Sequence, residues 1–398
     1  MRSFVVADVP ETDDAEAWFT YADVLTAAGD PRGAAIRLEH ACDADGGAAG
    51  GDRARLAGLY AEVERQLGLD GLRTDGSWRF TWRRGFLDEA RFALAEDTGA
   101  GRRALVEGLL ADHPWVAAVD LTDPECWEGA LIDAVLSHPV AHRLRVPELR
   151  LTDYHHSAEH SARSLAGAPR PRLEHLSFGY GFEFLYEDGR TSTGGRIDPM
   201  DYHGDGLVQT APWDSLPALR TLELQGAFLL GSILHDGLTR LRVRGPATGD
   251  GAYFDLGSTR GVESLVVEAE CDVFGGCCPV EQLDELTTAG FPALKHLDLG
   301  GSEFDATSFE LFSALAESPI LPQLESLTLP DLRIGRSDCE GEPLVVLSRW
   351  APSFAHLALG VRGTVDVEGA DGPEVDRLFP GIGAGSLAMG TAVEREGD

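Results

Sequence analysis

The sequence predicts an α/β fold in which short parallel strands, each followed by a helix, stack side by side into one elongated, curved array. Three observations predict it. A pattern of the form Leu-x-x-Leu-x-Leu recurs along most of the chain. Helical periodicity fills the intervals between its copies. Most steps between copies run roughly 24 to 32 residues, room for one strand and one helix each.

The chain opens with a helical module. Asp13 or Asp14 can cap a helix carrying Trp18, Tyr21, Val24 and Leu25. Gly29 ends it, and Pro31 suits the first turn of the next, which carries Ile36 and Leu38. Asp30-Pro31-Arg32-Gly33 reads as the helix–helix turn, with Arg32 pairing locally rather than meeting a partner. A Gly-rich loop from Asp43 to Gly51 precedes a third helix with Leu56, Leu59, Tyr60, Val63 and Leu67.

The repeats follow. Clear copies are Leu173-x-x-Leu176-x-Phe178, Leu219-x-x-Leu222-x-Leu224, Leu238-x-x-Leu241-x-Val243 and Val262-x-x-Leu265-x-Val267. Leu294-x-x-Leu297-x-Leu299, Leu324-x-x-Leu327-x-Leu329 and Phe354-x-x-Leu357-x-Leu359 continue the series. Weaker copies are Leu87-x-x-Ala90-x-Phe92, Val116-x-x-Val119-x-Leu121 and Val146-x-x-Leu149-x-Leu151. In each, the last two apolar residues point to one side of a strand, because side chains alternate. One such strand cannot bury that side alone, but a parallel stack can. Helices are predicted over 102–112, 130–137, 279–288, 307–317 and from Pro343 through Trp350, mostly bounded by proline. Units this short close into a horseshoe with strands on the concave face and helices on the convex one.

Two segments carry a family resemblance. Phe291-Pro-Ala-Leu-Lys-His-Leu-Asp-Leu299 and Ala316-Glu-Ser-Pro-Ile-Leu-Pro-Gln-Leu-Glu-Ser-Leu-Thr-Leu329 resemble the longer, ribonuclease-inhibitor-like leucine-rich repeats. The segment from Trp18 through Leu25, then Gly29-Asp-Pro-Arg-Gly33 and Ile36-Arg-Leu-Glu39, resembles a bacterial repeat-companion module found ahead of such repeats, and Trp82-Arg-Arg-Gly-Phe-Leu87 resembles its entry into them. The resemblance implies a helical cap over 1–75 and a solenoid over 76–365. It also implies binding without enzymatic activity. The step from Leu176 to Leu222 is too long by about half a repeat, so 180–212 is either an insertion or a degenerate repeat with its aromatics in the core. Residues 366–398 read as a C-terminal cap and a flexible acidic tail. The family's Asn or Cys three residues past the last strand leucine is replaced here by Gly181, Ala227, Pro246, Glu270, Ser302, Leu332 and Arg362, so the turns must be satisfied in another way.

Composition bounds the function. A net charge of −33 argues against nucleic acid, whose binding is driven by Lys and Arg, and permits a basic protein partner. Lys295 is the only lysine, and there is no asparagine, hence no N-glycosylation acceptor. No apolar run is long enough to span a membrane, and the first residues lack a secretory pattern, which points to a cytoplasmic protein. The six cysteines show no C-x-x-C spacing, so free thiols and no zinc site are expected.

Candidate binding residues follow from the strand pattern. Outward positions form two columns: His175, Thr221, Arg240, Ser264, His296, Ser326 and His356, and beside them Arg150, Ser177, Glu223, Arg242, Val266, Asp298 and Thr328. Arg240, Arg242 and Arg244 form a basic stripe that can meet an acidic partner or pair with carboxylates such as Glu223 and Glu268. Tyr186 and Tyr202, in the predicted insertion, are candidate interface anchors. The protein-binding set is therefore His175, Tyr186, Tyr202, Glu223, Arg240, Arg242, Arg244, His296 and Asp298, with no catalytic residue, cofactor or metal. Two functions fit: an interaction scaffold, or an acidic inhibitor of a basic enzyme.

Overall fold

The computed structural model describes residues 10, 14–44, 50–69, 78–92, 108, 110, 118–123, 130–151, 159–180, 211–226, 233–246, 257–258, 260–271 and 277–382. Three helices lead: α1 (Ala15–Ala27), α2 (Pro31–Ala44) and α3 (Gly50–Leu67). Asp14 caps α1 by accepting the amide of Glu16, and Gly29 ends it in the left-handed region at φ 73°.

Fifteen strands follow among the described residues: β1 (Trp78–Arg83), β2 (Phe86–Phe92), β3 (Ala118–Asp123), β4 (Val146–Leu151), β5 (His175–Tyr180), β6 (Thr221–Gln225), β7 (Ile233–Leu234), β8 (Arg240–Pro246), β9 (Gly257–Ser258), β10 (Ser264–Glu270), β11 (His296–Asp298), β12 (Ser326–Leu329), β13 (Leu332–Ile334), β14 (Ala358–Val361) and β15 (Val365–Val367). Eleven form one sheet, ordered β1-β2-β3-β4-β5-β6-β8-β10-β11-β12-β14. The β1–β2 pair is an antiparallel hairpin, and every later pairing is parallel. β7 pairs with β9, and β13 with β15, in two small parallel sheets.

The inward rows carry the core. Leu176, Leu222, Leu241, Leu265, Leu297 and Leu327 lie side by side and are essentially inaccessible. The helices Ala130–Ser137, Glu159–Ala166, Ser308–Glu317 and Pro343–Phe354 bring Ile132, Leu165, Phe312 and Leu347 into the same core. Thr307 and Glu310 close a capping box on the third of these helices, and Pro343 starts the fourth. The final helix, Gly372–Leu378, sets Phe379 against Phe312 and Phe354 and covers the far end of the core.

The cap is tied to the hairpin. Phe86 of β2 sits in a cluster with Trp18, Tyr21, Leu25 and Ile36. Arg32, 1% exposed, forms a bidentate pair with Asp30 and lies 5.0 Å over the Phe86 ring, so the local pairing predicted for the helix–helix turn is present. Tyr60 stacks on Trp82, whose indole N–H donates to Glu64 at 2.7 Å. Glu39 accepts from the Tyr60 hydroxyl and from the Arg84 amide in the β1–β2 turn.

Several expectations are corrected. The register pairs Leu149 with Phe178 and Pro147 with Val119, so the weak unit there begins at Leu144, two residues earlier than its sequence pattern suggests. Leu359 pairs with Leu327, so the last unit lies two residues later than expected. Residues 279–288 form a 3-10 segment, Val280–Glu285, not an α-helix: its buried residues Leu283 and Leu286 are three apart, and the Leu286 amide donates to Leu283. Cys271 and Cys277 form a disulfide, while Cys42, Cys278 and Cys339 are free. The predicted helix at 102–112 lies largely outside the described residues, although Gly108 and Leu110 are helical.

The missing asparagine has a partial substitute. Ser302, 3% exposed, donates to Val267 O at 2.7 Å and accepts from the Ala269 amide at 3.1 Å. Glu303 accepts from the Cys271 amide, and Asp331 from the Thr364 amide. Short oxygen acceptors thus satisfy turn backbone that would otherwise be orphaned. Among the described residues, no helix is long and apolar enough to cross a membrane.

Candidate functional site

The sheet has a second face, opposite the leucines. Strand alternation sets its rows. In the first row, His175, Thr221, Arg240, Ser264, His296, Ser326 and Ala358 are register partners in turn. Ala358 therefore replaces His356, whose Nε2 instead meets Leu321 O at 3.0 Å off the strand end. In the second row, Glu148, Ser177, Glu223, Arg242, Val266, Asp298 and Thr328 align. Arg150 belongs to a third row, with Gly179, Gln225, Arg244 and Glu268. The two-residue shift of the unit at β4 moves it there.

Near its middle this face is bound together by charge. Arg242 donates to Glu268 at 2.8 Å, and Arg362 reaches the other oxygen of the same carboxylate at 3.4 Å. Arg244 donates to Glu270 at 2.8 Å. Asp298 accepts the Gly300 amide at 2.7 Å. Burial pushes the Asp298 carboxyl above its ordinary range, against the pull of the Gly300 N–H, Arg362 and Arg242. Burial likewise raises Glu270, with Arg244 opposing. Gly300 and Gly301 admit the Arg362 chain: an ideal Cβ on Gly301 would lie 3.0 Å from Arg362 Nη1 and 2.7 Å from Glu268 Cγ.

A second cluster lies at β4–β6. Arg150, 8% exposed, donates through Nη2 to the buried Ser177 hydroxyl at 2.6 Å, and Ser177 donates onward to Glu223 at 3.4 Å. Burial lowers the basicity of His175, against the attraction of Glu223 and with the repulsion of Arg150. Among the described residues, Arg150 Nη1 and Gln225 Oε1 are buried without a hydrogen-bond partner. Gly179, between them in register, has φ 140°, and a Cβ there would fall 2.0 Å from Gln225 O, so only glycine allows this close approach of β5 to β6.

Seven of the nine predicted binding residues therefore lie on one face: His175, Glu223, Arg240, Arg242, Arg244, His296 and Asp298. The basic stripe divides. Arg242 and Arg244 are paired to carboxylates, whereas the Arg240 side chain is exposed and bonds to no described residue. His296 Nδ1 meets the Ser326 hydroxyl at 2.9 Å. Tyr186, Tyr202 and nearly all of the predicted insertion lie outside the described residues. Sequence reasoning missed Arg362 and Glu270. A frame placing Leu359 and Val361 on the last strand would have put Arg362 at its edge. Ser177 is wholly buried, its hydroxyl held between the Arg150 guanidinium and the Glu223 carboxylate. Among the described residues, no three His, Cys, Asp or Glu side chains converge as metal ligands would.

No family model and no curated protein matches the chain. Among solved structures, the crystal structure of a Bacteroides fragilis protein, a structural genomics target, is similar over 82% of this chain and 82% of that one, at 14% identity and a TM-score of 0.46.

Proposed function

We propose that this chain is a leucine-rich repeat scaffold, a non-enzymatic cytoplasmic protein that binds a protein partner on the polar face of its long sheet. One observation carries the reading. The leucine rows are fully buried, while the first row on the opposite face stays half-buried or exposed along its length. A sheet that keeps one long polar face out of its own core offers a binding surface, and stacked repeats commonly bind in this way. The horseshoe curvature expected from short units would make that face concave.

The charges favour a selective partner over a merely basic one. Arg150, Arg240, Arg242, Arg244 and Arg362 stand against Glu148, Glu223, Glu268, Glu270 and Asp298, a near balance on this face of a chain with net charge −33. Most are already committed to each other, so they set geometry more than attraction. The excess acidity lies elsewhere and supports the alternative, inhibition of a basic enzyme, through long-range steering alone.

The test is affinity capture from the source cells with three baits: the native chain, a face variant (Thr221→Arg with Arg240→Glu) and a helix-side control (Val345→Ser). A partner retained by native and control baits but lost with the face variant supports the reading. Loss only with the control overturns it. Steep weakening of the recovered complex with salt would favour the inhibitor.

A further inference from the structure

On the helix side, away from the polar face, a cavity of about 470 Å³ opens between the helices Ser308–Glu317 and Pro343–Phe354 and the 337–340 turn. That size suits a small metabolite. Phe309 and Trp350 form an aromatic wall, their ring centroids 5.1 Å apart. Val346 and the Cys339 thiol add apolar surface.

Its charged lining is divided. Asp338 is already committed, since Oδ2 accepts the Gly335 amide at 2.7 Å and Oδ1 accepts the Ser337 hydroxyl at 3.0 Å. Glu340 and Arg349 also line the cavity, and both are exposed. Neither makes an ion pair or hydrogen bond to any described residue, and they do not pair with each other. Nearby charges do pair: Arg336 bridges Glu342 and Glu368. Two opposite, unpartnered charges thus share a small cavity with an aromatic wall.

We infer that this cavity binds a free α-amino acid with an aromatic side chain, its ammonium on Glu340, its carboxylate on Arg349 and its ring against Trp350 and Phe309. A peptide terminus would use only one of the two charges. A simple anion or cation would leave the other idle, whereas the zwitterion uses both together with the aromatic wall. This site is independent of the partner-binding reading and survives its failure.

Calorimetry on the full chain tests it with L-tryptophan, indole-3-propionate (no ammonium) and L-tryptophanamide (no carboxylate). L-Tryptophan should bind, and each analogue should bind about tenfold more weakly, the worth of one charge-assisted contact. Arg349→Ala should abolish the preference for the acid over its amide and leave the ammonium preference intact. Glu340→Gln should do the reverse. Both side chains are exposed, so each variant should keep the native circular dichroism spectrum. Absence of binding at millimolar L-tryptophan, equal affinity for all three compounds, or variants that leave both preferences unchanged would each overturn the inference.

Discussion

Gly33→Ala should destabilise the cap, although alanine is the better helix former. Gly33 lies in α2, where replacing an exposed glycine with alanine gains about 1 kcal/mol. Here the new Cβ would lie 2.4 Å from Thr26 Oγ1, 2.5 Å from Ala22 O and 2.8 Å from Thr26 N, all on α1. Thr26 cannot simply swing away, because its hydroxyl donates to that same Ala22 carbonyl at 2.7 Å. The helices must separate by several tenths of an ångström, which moves Arg32 off Phe86 and off the Gly85 backbone packed beneath it. One carbon forced into a packed contact costs roughly 1–3 kcal/mol. With the propensity gain subtracted, the net loss is up to about 2 kcal/mol, and the three contacts below 3.0 Å place it toward that end. Gly58→Ala, in α3 with nothing within 4 Å of its Cβ, is the control and should gain about 1 kcal/mol. Hydrogen exchange by mass spectrometry reads the α1 and α2 amides locally. Faster exchange for Gly33→Ala, with slower or unchanged exchange for Gly58→Ala, is the expected outcome. If Gly33→Ala protects these amides as Gly58→Ala does, the account of this junction is wrong.

Three further outcomes are expected. Gly179→Ala should cost about 3 kcal/mol or more in denaturant unfolding, because a clash with strand backbone adds to the strain of its φ; a loss below about 1 kcal/mol would contradict the β5–β6 approach described. His175 should make native stability fall in mild acid. Its folded basicity is lowered, so its contribution is present above the unfolded value near 6.5 and is lost as pH falls through the folded one. The stability of the native chain relative to His175→Gln should therefore shrink between about pH 7.5 and 5.5, and a constant difference would contradict this. Burial, with help from Asp305, pushes the Cys278 thiol up to about 12. At about pH 8, iodoacetamide should modify the half-buried Cys339 of the native chain and spare Cys278; equal modification would refute the burial of Cys278.

Much of the fold was legible because leucine spacing and proline stops are local signals. Leu265, Leu297 and Leu327 fall where the pattern places them, and the helix after Thr307 follows from the spacing of Phe309, Phe312 and Leu315 and from the stop at Pro319. The frames at β4 and β14 were not legible, for a definite reason. A slip of two residues leaves the inward and outward sets of a strand unchanged, so Leu149 and Leu151 pattern as well as Pro147 and Leu149. The face was therefore assigned correctly, while the rows on it were displaced at Arg150 and His356. The pairing of Arg362 with Glu268 spans 94 residues and has no local signal. The Cys271–Cys277 disulfide joins cysteines six apart in a loop, a spacing that marks no familiar motif. The outward set of residues was legible, but the network that joins them was not.

Site-specific photo-crosslinking tests the central claim most directly. A photoreactive residue replaces, one at a time, Thr221, Ser264 and Ser326 on the polar face and Val345 on the helix side, in cells that make the natural partner. Adducts to a common partner from the three face positions, with none from Val345, are the result the account predicts. Adducts from Val345 alone would contradict it.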